Sequence, residues 1–357
     1  MLFDSASPPL KHRAGEETGL SLRVWLMAWG LPGAVADVYE ERGVRGLYPW
    51  QLECLRTGAL QHAQQNLVYT VPTSGGKTLV AEIVLLRCLL QRHRTALLVL
   101  PYVSLVLEKT QGFAPFARRL GFVCESFYGS QGTLPIARGP PRLLVATPEK
   151  ANGIVNALAE EQRIAELGCV VVDEVHMVGE DGRGATLEIL LTKLVYLSTH
   201  SLPSPPRPLP HRRPQQLQQE EKEQQESGAR VQLVAMSATV PNSDELGRWL
   251  RADVHRYDFR PVELRQYVKK GMVVCDADTG REVRTLAALP ADFDGTAALC
   301  AEVVPDHSVL VFCSTKNFTE KAAVSVARLL PQYARQGQQQ QGGQQHEQTP
   351  YEAELQR

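Results

Sequence analysis

The sequence predicts a doubly wound α/β fold built on a parallel sheet, and three observations predict it. Between residues 66 and 249, short β-branched or apolar runs alternate with longer amphipathic segments, which is the pattern of repeated strand-helix-strand units. Each run has the length of a strand buried on both faces. The first run is followed by a glycine-rich string and then by a helical pattern, and ligands of such sheets bind at the carboxyl ends of the strands.

Taken in order, strands are expected over residues 67–71, 96–100, 123–128, 143–146, 169–172 and 232–236, with helices beginning near Thr78, Val103, Pro148, Gly184 and Ser243. Upstream, residues 22–39 are apolar, but Arg23, Asp37 and the Leu31-Pro32-Gly33 break interrupt them before a membrane span of about 20 residues is reached. A short soluble helix before a turn is expected there. Residues 1–20 lack a basic region followed by an apolar core, so nothing in them argues for secretion.

Two stretches break the alternation. Residues 201–228 open with Pro203, Pro205, Pro206, Pro208, Pro210 and Pro214 and continue as a Gln/Glu-rich run, which is expected to be a disordered surface insertion. After residue 262 the pattern weakens, then resumes as a helix over 297–304, a strand over 309–313 and a helix over 319–330. The expected layout is an N-terminal segment (1–30), a first α/β domain (31–262), the incomplete start of a second (263–330) and a Gln/Gly-rich tail (331–357).

Composition bounds the function less than the motifs do. With 38 Lys and Arg against 39 Asp and Glu, the net charge of -1 exerts no global pull on nucleic acid, so any such site must be a local groove. Seven cysteines are scattered without a CxxC pair, and several lie in apolar runs, as expected of reduced core residues.

The glycine-rich string is Val71-Pro72-Thr73-Ser74-Gly75-Gly76-Lys77-Thr78. In a P-loop, small residues let backbone N–H groups approach phosphate oxygens, the lysine bridges the β and γ phosphates, and the following hydroxyl holds Mg²⁺. Thr73, Ser74, Gly75, Gly76, Lys77 and Thr78 are therefore the candidate ATP-binding residues, although Val71 stands where the general pattern has glycine. Val170-Val171-Val172-Asp173-Glu174-Val175-His176 is an apolar strand ending in paired carboxylates. On a strand beside the P-loop strand, Asp173 would hold the metal with Thr78, and Glu174 would orient and deprotonate a water. The alternative is a strand ending in a solvated acidic turn. Ser237-Ala238-Thr239 follows the strand at 232–236, where hydroxyls can sense whether the carboxylates are engaged. Gln51, in Tyr48-Pro49-Trp50-Gln51, offers a donor and an acceptor that match the N6 and N7 edge of adenine. The bland reading of Trp50-Gln51 is a core residue beside a surface one.

Gln51, the P-loop, Leu100-Pro101-Tyr102-Val103 with Glu108-Lys109, Thr147-Pro148-Glu149-Lys150, the DEVH box, Ser-Ala-Thr, Phe259-Arg260-Pro261-Val262 and Val311-Phe312-Cys313-Ser314-Thr315-Lys316 occur in one order. In that order, from about residue 31 to about residue 330, the chain resembles the Ski2-like branch of superfamily 2 helicases, in the group related to the helicase portion of DNA polymerase theta. The resemblance implies a RecA-like ATP-binding domain and the beginning of a second one. It also implies ATP and Mg²⁺ as cofactors and 3′ to 5′ movement on DNA in the service of repair. This branch uses a small apolar residue at the place of Val71. His176, as the last letter of the DExH box, would link hydrolysis to Ser237 and Thr239. Pro101, Thr147 and Arg260 would lie on the nucleic-acid path, though Thr147 serves equally as a helix cap and Arg260 as a packing arginine. Single-stranded or forked DNA, recombination and single-strand-binding proteins are the implied partners, the nucleus the implied compartment, with no membrane.

One departure stands out. The family's later motifs supply arginines across the cleft, and no Gln-x-x-Gly-Arg-Ala-Gly-Arg-like segment occurs here. Such an arginine is worth about 10³ to 10⁵ in rate in related NTPases. The chain by itself is therefore expected to bind ATP and hydrolyse it slowly. An RNA helicase of the same branch, and a shortened module that grips nucleotide and DNA without unwinding, remain the alternatives.

Overall fold

The computed structural model describes residues 21–62, 65–180, 182–199, 230–238, 240, 242–304 and 306–341. The expected insertion at 201–228 lies outside them, as do residues 1–20, 342–357 and Thr239. The chain divides into two compact units, Met1–Glu263 and Leu264–Arg357.

The first unit is built on seven parallel strands: β1 (Asn66–Thr70), β2 (Thr95–Val99), β3 (Val123–Phe127), β4 (Arg142–Ala146), β5 (Leu167–Val172), β6 (Gln232–Ser237) and β7 (Ala252–Arg256). Their order across the sheet is β3-β4-β2-β5-β6-β1-β7. Because successive side chains of a strand point to opposite faces, each central strand feeds two cores. Leu67 and Tyr69 of β1, Leu98 of β2 and Val171 of β5 enter one apolar cluster. Val68, Leu97, Val99, Val170 and Val172 enter the other. The continuous β-branched runs read from the sequence are the direct consequence, since both faces must be apolar.

Helices α1 (Leu22–Ala28), α2 (Gly33–Glu41), α3 (Pro49–Leu55), α4 (Gly58–His62), α5 (Lys77–Leu90) and α6 (Val103–Leu120) contribute to the first cluster. Helices α7 (Pro148–Glu160), α8 (Arg183–Thr199) and α9 (Ser243–Leu250) contribute to the second. The apolar stretch at 22–39 is thus two helices broken at Pro32, and no described helix is long and apolar enough to cross a membrane. All seven cysteines are free thiols, and burial pushes Cys54 up to about 12.

Sequence reasoning missed β7. Its residues are all partly or fully exposed, as an edge strand's can be, so no apolar run marks it. It is held by pairing with β1 and by Asn66, a buried side chain whose Nδ2 donates to the Leu250 carbonyl (2.8 Å) while its Oδ1 accepts from Leu233 N–H (3.0 Å).

The second unit differs from the expected opening of an α/β domain. Residues Tyr267–Lys270 (β8), Val273–Asp276 (β9) and Glu282–Thr285 (β10) form an antiparallel sheet in that order, followed by α10 (Thr296–Ala301) and α11 (Lys316–Gln341). Val274, Leu286 and Ala298 make a small core, with Tyr333 packed on it. The Tyr333 hydroxyl donates to the buried Asp292 carboxylate at 2.8 Å. The strand expected at 309–313 is not formed, and Leu310 and Phe312 are 77% and 89% exposed. A strand exists only where a neighbour accepts its hydrogen bonds, and the described residues supply none there. Helix α11 runs beyond the expected end at 330 to Gln341, since glutamine is a good helix former.

Replacing Asn66 by alanine leaves a buried N–H and a buried carbonyl unpaired. Asn66→Ala is expected to cost about 1–3 kcal/mol of stability, read as a lower urea midpoint at unchanged slope.

Candidate active site

The P-loop connects β1 to α5. Its reversal comes from two left-handed residues, Ser74 (φ 65°) and Gly76 (φ 85°), so the chain needs no glycine at Val71. Gly75 is required by space: a Cβ there would sit 2.5 Å from Val71 Cγ1 and 2.9 Å from the Pro72 carbonyl oxygen. Thr73 and Ser74 are exposed, Gly75 is buried, and Gly76, Lys77 and Thr78 are half-buried. The Lys77 ammonium donates to the Val71 carbonyl at 3.2 Å, folded back over its own loop. Behind the loop, the buried Tyr69 hydroxyl lies 3.0 Å from the Lys77 carbonyl oxygen.

The loop is also held from the side. Gln51, 1% exposed, donates from Nε2 to the Gly76 carbonyl (2.9 Å) and accepts at Oε1 from Tyr48 N–H (2.8 Å). An amide has two donors and two acceptor lone pairs, so one of each remains for another partner. Trp50, read from the sequence only as core, donates its indole N–H to the Gly75 carbonyl at 3.0 Å. Its place beside a candidate glutamine was the available signal. The strap after β7 closes over this corner, with Tyr257 N–H bonded to the Thr70 carbonyl (2.9 Å) and the Phe259 ring 4.6 Å from that of Tyr48.

Asp173 lies one strand further from the P-loop than the sequence predicts. The strand carrying Asp173 is not beside the P-loop strand, because β6 lies between β5 and β1. All three strands are parallel and end at the same edge, so the carboxylates face the loop across one intervening strand end. That end is Ser237, small enough to be reached over and fully buried. Its carbonyl accepts from Val71 N–H (3.2 Å), and its hydroxyl lies 2.8 Å from His176 Nδ1. His176 Nδ1 is also 3.2 Å from Glu174 Oε2. The position of Thr239 lies outside the described residues.

Glu174 is a left-handed residue (φ 50°) that opens a 3-10 turn over Val175–Gly179. A non-glycine residue there carries strain of the kind found at functional sites. Its Oε2 is buried and accepts no well-aligned hydrogen bond, with His176 Nδ1 standing 3.2 Å away. Burial, reinforced by the negative charge of Glu174, pushes the Asp173 carboxyl from 3.8 up to about 6, opposed by a hydrogen bond from Glu174 N–H and by the charges of Lys77 and Lys109.

These features fit a magnesium-nucleotide. A glycine cradle that a Cβ would fill, a hydroxyl at Thr78, and two adjacent carboxylates, one with an orphaned buried oxygen, form a set of hard oxygen donors beside backbone N–H groups.

The residues expected on a nucleic-acid path lie at the same edge in part. Pro101, just after β2, is buried, and its carbonyl accepts from Arg183 Nη1 at 2.8 Å. Thr147 is buried at the start of α7 and its side chain makes no capping bond, so the simple cap is not what it does here. Arg260 is exposed on the strap.

Residues 48–246 match the model of the DEAD/DEAH box helicase family. The chain belongs to that family. It is 37% identical over 322 residues to the Helicase POLQ-like protein of Drosophila melanogaster and 40% identical over 307 residues to DNA polymerase theta of Mus musculus. Each match covers 85% of this chain but only 28% and 11% of those relatives. The structure of DUF1998 helicase MrfA bound to DNA and AMPPNP shares the fold, with a TM-score of 0.56 at 16% identity, over 84% of this chain and 38% of that one.

The Asp173 shift makes the stability of the fold depend on pH. A carboxyl whose folded pKa is raised stabilises the fold fully below 3.8, and this contribution is lost as pH rises through about 6. The thermal midpoint of the native chain is therefore expected to contain a component that falls over this window, and Asp173→Asn is expected to remove it.

Proposed function

We propose that this chain is the ATP-binding motor domain of a 3′ to 5′ DNA helicase acting in DNA repair in the nucleus, with residues 263–330 the incomplete start of a second motor domain whose expected strand at 309–313 is not formed here. The observation that carries the reading is the common edge at which the P-loop, Ser237 and the Asp173-Glu174 pair meet. The DNA polymerase theta relative supports DNA rather than RNA as the polymer. Single-stranded or forked DNA would be the substrate, with recombination and single-strand-binding proteins as partners.

In this reading the loop N–H groups and Lys77 bind the triphosphate, and Lys77 leaves the Val71 carbonyl to do so. Gln51 uses its remaining donor and acceptor on adenine, while its other two bonds keep it tied to Gly76 and Tyr48. Thr78 and Asp173 would hold Mg²⁺, which neutralises phosphate charge and withdraws electron density from the phosphorus under attack. Asp173 must be ionised for this, so a proton leaves it when the metal complex binds below pH about 6. Glu174, with its unsatisfied oxygen, orients a water and accepts its proton. His176 passes the state of Glu174 to Ser237, and Thr239 would assist it. Pro101, Thr147 and Arg260 border the strand path.

Lys77→Ala removes a charge-assisted bond and is expected to weaken binding of a fluorescent ATP analogue by roughly tenfold to a hundredfold. Glu174→Gln should keep that affinity while lowering turnover by about 10² to 10⁴. If neither substitution moves either quantity, the motor reading fails. Hydrolysis stimulated by single-stranded RNA as strongly as by single-stranded DNA would move the reading to an RNA helicase.

A further inference from the structure

Arg183 lies outside every motif read from the sequence, yet it reaches both the turn after β2 and the first turn of α7 on the expected strand path. Its Nη1 donates to the Pro101 carbonyl at 2.8 Å, and its Nε is 3.6 Å from Glu149 Oε1. Its guanidinium carbon lies 5.9 Å from the centroid of the Tyr102 ring. One planar group thus bridges the turn after β2 and the first turn of α7, using donors that diverge from a single fork.

The same residue is anchored to the hydrolysis site. Arg183 opens α8, nine residues after Glu174, and its neighbour Gly184 abuts the 3-10 turn that Glu174 begins. A Cβ on Gly184 would come within 2.7 Å of the Val178 carbonyl oxygen and 2.9 Å of that of Met177. Arg183, Pro101, Pro148 and Asp173 line one cavity of only about 10 Å³. With so little free volume, Asp173 and Arg183 share one closely packed lining.

We infer that Arg183 is a positioning residue that makes nucleotide binding at the P-loop and nucleic-acid binding at the Pro101 turn and the start of α7 depend on each other. The inference rests on the motor reading above. It differs from the His176-Ser237 contact, which points across the sheet toward β6 rather than toward the strand path.

The test is the affinity of the whole chain for a labelled oligothymidylate, by fluorescence anisotropy, with and without a non-hydrolysable ATP analogue and Mg²⁺. Native protein should change its oligonucleotide Kd by about fivefold or more when the analogue is present, and by linkage the oligonucleotide must change the affinity for the analogue by the same factor. In Arg183→Ala this factor should fall below about twofold, although the protein still binds the analogue. Arg183→Lys keeps the charge but cannot make both contacts, so it should lose the factor as well, and it decides the question if the alanine variant does not fold. A purely structural role would lower the thermal midpoint and leave the factor intact. Retention of the native factor by either folded variant overturns the inference, as does a native chain that binds both ligands without mutual effect. A native chain that binds neither ligand overturns the motor reading itself, and this inference with it.

Discussion

The site depends on one residue holding two neighbours. Ser237 ends β6 between the P-loop strand and the carboxylate strand, accepting a backbone bond from Val71 on one side and meeting His176 with its hydroxyl on the other. Strands in a sheet are about 4.8 Å apart, so β1 and β5 stand roughly 10 Å from each other. A bulky side chain at the end of β6 would fill that interval. A small polar one leaves it open and still touches both walls. The charges of Lys77 and Asp173 consequently act on each other without forming an ion pair that a ligand would first have to break.

The residues around this gap are held in conformations of limited comfort. Ser74 and Glu174 are both left-handed without being glycine, and Glu174 keeps a buried oxygen without a well-aligned hydrogen bond. Asp173 is driven toward its neutral form by burial and by its neighbour's charge. The electrostatic costs would be relieved by a cation and a phosphate, which supply positive charge to the carboxylates and an anion to the loop. Trp50, Gln51 and Tyr69 hold the loop from the side and from behind, so it does not relax by collapsing. The strain is maintained by the packing of two apolar layers, one on each face of the sheet.

What the sequence disclosed follows from what leaves a periodic trace. The five inner strands were legible because burial on both faces demands continuous apolar runs, the edge strand β3 was read from a shorter run ending in the buried Phe127, and five helix starts were legible from their patterns. β7 was not, since an edge strand needs apolar side chains on neither face in full. The antiparallel sheet of the second unit was equally hidden: its three strands have four residues each, mostly half-exposed or exposed. The 309–313 run misled in the opposite sense, because apolar composition shows what a segment is suited to and not whether a partner lies beside it. At the site, the loop, the carboxylates and Gln51 were recognisable by chemistry and order. The placement of β6 between the two key strands, and the contacts of Trp50 and Arg183, were not, because strand order and side-chain reach arise only when distant segments meet.

Gly75 is hemmed in on two fronts. Its missing Cβ would press inward on Val71 and Pro72, and outward to within 3.2 Å of the Phe259 carbonyl oxygen. The segment that carries the chain out of the first unit therefore crosses the lip of the loop with no room to spare. A single methyl group at this position would act as a wedge, spreading the lip and lifting the departing backbone together.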